Sequence, residues 1–147
     1  MKRIATLCLL GAISFNSHAQ NYFLATSKDG VEEVYIMSVT SNRSTNSIVV
    51  LDRVKPANGK LQDFRHNVAK TVDKDQVDAD KLETLGYYRR KIQYNCKDKT
   101  YRIMEITYNE LTGKELAKAE YDEKETQWRK VYTGSLIDVE FQKVCKK

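Results

Sequence analysis

The sequence predicts an α+β fold: an antiparallel β-sheet of about six strands, with a C-terminal α-helix packed on one face and tethered by a disulfide. Three observations carry this expectation. Two-residue alternation of apolar and polar side chains recurs in successive segments of the second half. The last stretch switches to helical spacing. One cysteine falls on the apolar face of a predicted strand and another on the apolar stripe of that helix. At 147 residues the chain has room for one domain. A hydrophobic content of 41% beside 31% charged residues fits a globular protein. One Pro and six Gly exclude collagen-like and Pro-rich low-complexity chains, and three Cys exclude a disulfide-dense scaffold.

The first nineteen residues read as a secretory signal peptide (residues 1–19), followed by a single domain over 20–147. Lys2 and Arg3 form a basic start, Ile4 to Ser14 is apolar or small, and Ser17-His18-Ala19 sets small residues before a cut expected after Ala19. The run is too short to span a bilayer and no second run is longer, so no transmembrane segment is expected. Cys8 follows Leu7 inside the apolar run, which is not the setting of a lipidated cysteine, so the chain does not read as a lipoprotein. The expected destination is the periplasm, the cell surface or the medium. Loss of Lys2 and Arg3 lowers the formal charge from +5 to +3, a weak basic bias that does not suggest a nucleic-acid partner.

The mature chain keeps Cys96 and Cys145. Two thiols in an oxidising envelope point to one disulfide. A two-thiolate metal site would lack further ligands, since His66 is the one remaining histidine. No metal or other cofactor is expected. Chain-entropy reasoning credits a bridge closing about 50 residues with up to ~4 kcal/mol.

The elements follow in order. Asn21 to Thr26 reads as a short strand, and Lys28-Asp29-Gly30 as a turn. Val31 to Val39 reads as a strand, with Val34 and Ile36 on one face and Tyr35, Met37 and Val39 on the other. Thr40 to Ser47 reads as a polar loop, and the β-branched run Ile48 to Val54 as a central strand. Pro56 to Gly59 is a loop, and Leu61, Phe64 and Val68 suggest a short helix over Leu61 to Lys70. Asp73, Asp75, Asp78 and Asp80 lack the glycine and the spacing of a calcium loop, and read as a solvated loop or helix start.

Tyr87 to Cys96 alternates, with Tyr88, Ile92, Tyr94 and Cys96 on one face and Arg90 as the exception there. Tyr87, Arg89, Lys91, Gln93 and Asn95 take the other face. Thr100 to Tyr108 completes a hairpin, with Arg102, Met104, Ile106 and Tyr108 opposite Tyr101, Ile103, Glu105 and Thr107. Lys114 to Tyr121 and Gln127 to Tyr132, carrying Trp128, read as two further strands. Ser135 is the expected N-cap of the last helix, with Asp138 reaching back from its third position. Ile137, Phe141, Val144 and Cys145 form its apolar stripe.

Little supports catalysis. His66 lies in a polar segment, and Glu32 and Glu33 point to opposite strand faces. Glu120, Asp122, Glu123 and Glu125 crowd a turn, and no Gly-rich phosphate loop is present.

The second half resembles the surface-adhesin protein E family. The resemblance rests on the Tyr-rich basic strand Tyr87 to Cys96, the following Tyr101-Arg102-Ile103 and the turn Thr112-Gly113-Lys114. It continues through Trp128, Val131, the corner Thr133-Gly134-Ser135 (Thr133 where Pro is usual) and a helix ending in Val144-Cys145. It covers roughly Gly86 to Cys145. It implies a non-enzymatic envelope protein that binds a protein partner, such as the host matrix or serum proteins vitronectin or laminin. The basic strand would contribute Tyr88, Arg89, Arg90 and Lys91 to the binding surface. A periplasmic inhibitor or immunity-type protein blocking a hydrolase is the alternative, with Thr40 to Ser47 or Pro56 to Asp80 as its protruding loop.

Overall fold

In a computed structural model, which describes residues 22–42, 44–124 and 126–146, an antiparallel sheet carries two helices. The leader and its cleavage site lie outside the described residues. The strands are β1 (Tyr22–Thr26), β2 (Glu32–Asn42), β3 (Ser47–Pro56), β4 (Leu85–Asn95), β5 (Thr100–Glu110), β6 (Glu115–Glu120) and β7 (Arg129–Lys130). The first six are neighbours in chain order, so each pair is a hairpin or a simple return, and β7 pairs with β5. The helices are α1 (Leu61–Thr71), in the excursion between β3 and β4, and α2 (Leu136–Cys145). A single 3-10 turn, Ala79–Leu82, follows α1, with Asp78 accepting from the Asp80 amide at 3.0 Å.

Both helices lie on the same face of the sheet. Val50, Asp52 and Val54 of β3 share one parity and pair with Ile92, Arg90 and Tyr88 of β4. The apolar residues of this face divide into two clusters. Val34 and Val54 meet Phe64 and Val68 of α1, and Phe64 stacks on Tyr88 at 5.9 Å. Ile36, Val50, Ile92 and Tyr94 meet Phe141 of α2, with Ile137, Val144 and Cys145 packed alongside. The expected stripe on the last helix is therefore the packed face. Burial of a side chain the size of Phe141 is worth about 1.5–3 kcal/mol before entropy. The Cys96–Cys145 disulfide closes the end of this helix onto the sheet, with Cα atoms 5.5 Å apart. Ser135 caps α2 by accepting from the Asp138 amide at 3.0 Å, and Asp138 reaches back one residue further than expected, to the Gly134 amide at 2.9 Å.

Four expectations need correction. Half of the predicted loop Thr40 to Ser47 is strand, because β2 and β3 stay paired out to Asn42↔Ser47. The register of β2 against β3 shifts between Ile36 and Ser38, so a single alternation does not run through Met37 to Val39. In β5, the register against β4 shifts between Lys91 and Ile92, whose partners are Glu105 and Ile103. This bulge at Met104 reverses the alternation, as an extra residue in a strand must. Tyr101 and Ile103 thus join Ile106 and Tyr108 on the helix face, while Arg102 pairs with Gln93 on the other. Finally, the predicted strand Gln127 to Tyr132 shrinks to the two residues of β7, and Trp128 lies outside it.

Gly86 marks a close backbone approach. It is skipped in the β4–β5 ladder between Leu85 and Tyr87, and a Cβ there would fall on the backbone of Glu110 and Leu111, 2.8 Å from the Glu110 carbonyl carbon. The hairpin turn cannot yield without breaking its own bonds, such as Gly113 N–H to Glu110 C=O at 2.9 Å. Gly86→Ala is expected to lower stability by about 1–3 kcal/mol, read as a shift in the urea midpoint.

Candidate functional site

The face of the sheet away from the helices is open. One rung crosses it from edge to edge: Phe23, Tyr35, Arg53, Arg89, Thr107 and Lys118, each opposite the next. Phe23 meets Tyr35 edge-on at 5.4 Å, and Lys55 lies 4.8 Å above the Tyr35 ring. The Arg53 guanidinium stacks on Tyr87 at 3.9 Å, which fixes its plane. Lys91, exposed, stands opposite Leu51 one rung further along.

Charge on this face is unevenly matched. Glu33 is held by Lys55 at 3.6 Å and by the Tyr35 hydroxyl at 2.9 Å. Glu105 and Glu120 share Lys118, at 3.6 and 3.1 Å. Glu123 pairs with Arg102 at 3.4 Å. Arg102 also donates to Gln93 at 2.7 Å and lies 4.7 Å from the Trp128 ring, so the segment after β6 walls one corner of the face. These four acids are thus engaged, whereas Glu115, opposite Asn109 at the start of β6, has no ion-pair partner among the described residues. Among the described residues, Arg53, Arg89 and Lys91 have no ion-pair partner. Arg53 and Arg89 are directly opposite in register, an unfavourable placement for like charges that an acidic partner would relieve. The Nε–H groups of both are buried without an acceptor.

The four residues predicted to bind divide between the two faces. Arg89 and Lys91 stand on the open face beside Arg53 and Tyr87. Tyr88 and Arg90 point to the helix face. Tyr88 lies between Phe64 and Tyr108, each 5.9 Å away. Burial pushes its hydroxyl pKa up, so it stays neutral. Arg90 is largely buried and grips Asp52, itself fully buried, with Nε at 3.1 Å from both carboxylate oxygens and a further bond from its terminal nitrogen. Burial works against the Arg90 charge, but the Asp52 carboxylate more than offsets it and the guanidinium pKa lies above its usual value. Glu140 of α2 enters the same space and accepts from the Tyr94 hydroxyl at 2.7 Å.

The sequence reading missed Tyr35, Arg53 and Tyr87 as companions of Arg89, because their meeting depends on strand register. It also missed Asp52 and Glu140. A signal for Asp52 was present: an acid stands at the same parity as Val50 and Val54 on an otherwise apolar strand face, and Arg90 is the matching exception on its neighbour. His66 is exposed on α1, and no cluster of potential metal ligands occurs among the described residues. No described helix is long and apolar enough to cross a membrane.

Comparison with protein families matches the family described as Surface-adhesin protein E over residues 25–146, nearly the whole chain. The match therefore extends well beyond the second half, where the resemblance was legible. Neither curated proteins nor solved structures gave a match.

Proposed function

From the premise that the chain belongs to the surface-adhesin protein E family, we propose that it is exported through its leader, cut after Ala19, and binds an acidic patch of a host matrix or serum protein with the open face of its sheet. The family assignment points to a surface adhesin-like, protein-binding and non-enzymatic role. The observation that carries the finer reading is the cation triplet Arg53, Arg89 and Lys91. These residues lack an ionic partner within the described chain, while Glu33, Glu105 and Glu120 on the same face are already paired and Tyr35 and Tyr87 flank them. Arginine and tyrosine combine contact area with directed hydrogen bonds and are enriched at protein interfaces. A sheet whose strands are already paired adds little ordering cost on binding. Vitronectin and laminin are the partners to try first.

The test is binding of the mature chain to immobilised vitronectin and laminin, with Arg53→Ala, Arg89→Ala and Lys91→Ala combined. Loss of at least about tenfold in affinity is expected, at an unchanged melting temperature, with wild-type binding weakening as salt rises. Unchanged affinity in the triple variant, or no binding by the wild type, would remove this face from the reading.

A further inference from the structure

We infer that docking of α2 is gated by a single proton held between Glu140 and Asp52, which makes the C-terminal helix a pH-sensitive latch. Donors and acceptors do not balance where α2 meets the sheet. Two carboxyl groups and one guanidinium meet in a buried seam between the two apolar clusters, where Asp52 and Glu140 are 0% and 1% exposed. Arg90 spends its Nε and one terminal nitrogen on Asp52, reaching both carboxylate oxygens. Glu140 Oε1 takes the Tyr94 hydroxyl at 2.7 Å. Glu140 Oε2 is buried with no donor facing it.

Among the described residues, the surrounding elements offer no second cation acting on Glu140. From β4 come Tyr88, Arg90 and Tyr94, and burial raises both tyrosine pKa values so that neither ionises near neutral pH. From β3 comes Asp52. From β2 come Ile36 and Glu32, an acid within electrostatic reach of Arg90 whose pKa burial raises, and Tyr101 of β5 packs on Tyr94. On α2 itself, Lys143 lies over the Tyr22 ring of β1 at 4.7 Å, and Asp138 faces Gly134 and Gln142 at the solvent side. An ionised Oε2 would be an unpaired buried anion beside another anion, a costly arrangement. A protonated Oε2 is a donor, and the Asp52 carboxylate is its acceptor.

Burial, then the Asp52 charge, pushes the Glu140 pKa from its ordinary 4.5 up to about 8. The docked state therefore holds a proton that the undocked or unfolded chain releases. The stability this contributes is fully present below pH 4.5 and falls as pH rises, until it is lost above about pH 8. A loosened α2 would remain attached through Cys96–Cys145. It would uncover the apolar floor of Ile36, Val50, Ile92 and Tyr94.

The test pairs two measurements on the mature, oxidised chain. The Glu140 carboxyl carbon, followed by NMR in the wild type and assigned with Glu140→Gln, is expected to titrate near pH 8. Titration near 4.5 in the wild type would overturn the inference. The wild-type melting temperature should fall between about pH 6 and about pH 9 while that of Glu140→Gln stays nearly flat, because the amide supplies the donor and acceptor without a titrating proton. Parallel falls in both proteins would overturn it as well.

Discussion

Arg90→Ala is expected to destabilise the domain by about 3–5 kcal/mol, against about 0.5 kcal/mol or less for Arg89→Ala. The two arginines are adjacent in sequence and identical in chemistry, and the sheet separates their roles. Arg89 faces solvent on the open side. Arg90 supplies the charge that allows Asp52 to stand fully buried between Val50 and Val54. Removing it leaves a buried carboxylate beside a second acid, Glu140, with no cation to share. Urea unfolding of the two single variants makes the comparison directly. Equal losses would show that the seam carries no special share of the stability. A compensated variant sharpens the test: Asp52→Leu combined with Arg90→Met should recover most of the loss, since a buried ion pair replaced by apolar side chains of similar size is often neutral or better. Any loss of ligand binding in Arg90→Ala would then be read together with its folded fraction.

The contrast between these two arginines also shows which parts of the molecule were legible from residue order. Alternation identified the β4 face and flagged Arg90 as an exception, but alternation is blind to the partner that makes an exception tolerable. Asp52 becomes that partner only through the β3–β4 register. The hairpin of β4 and β5 was legible, yet the faces on the two sides of Met104 were wrongly joined, because a bulge adds one residue without leaving a marker in side-chain chemistry. The last helix, its Ser135 cap and its stripe were legible because cap, period and cysteine agreed on one register. The open-face cluster was half legible. Arg89 and Lys91 lie in one segment, whereas Tyr35 and Arg53 come from strands well upstream and join them only across the sheet. Trp128 carried aromatic weight that suggested a strand. In the fold it instead covers Arg102 from a segment with little regular structure.

Replacing Cys96 and Cys145 by alanine together is expected to cost about 2–5 kcal/mol, with the loss concentrated in one half of the molecule. The bridge spans 49 positions, so it removes much of the freedom of an unfolded chain that would otherwise have to bring α2 back to β4. Without it, α2 must hold by packing alone. At ten residues it is too short to persist as an isolated helix. What remains to dock it is the apolar stripe around Phe141 and the Glu140 carboxyl, whose own contribution weakens as pH rises. The cluster under α1 shares no residue of the bridge and should keep its protection. Hydrogen exchange on the oxidised and alanine forms separates these parts. Residues of Leu136–Cys145 should lose protection well before Leu61–Thr71 in the alanine form, and the gap should widen from about pH 6 to about pH 8. Uniform loss across both helices would mean that the two clusters unfold as one unit. The seam of Asp52, Arg90 and Glu140 would then couple them instead of marking a boundary between them.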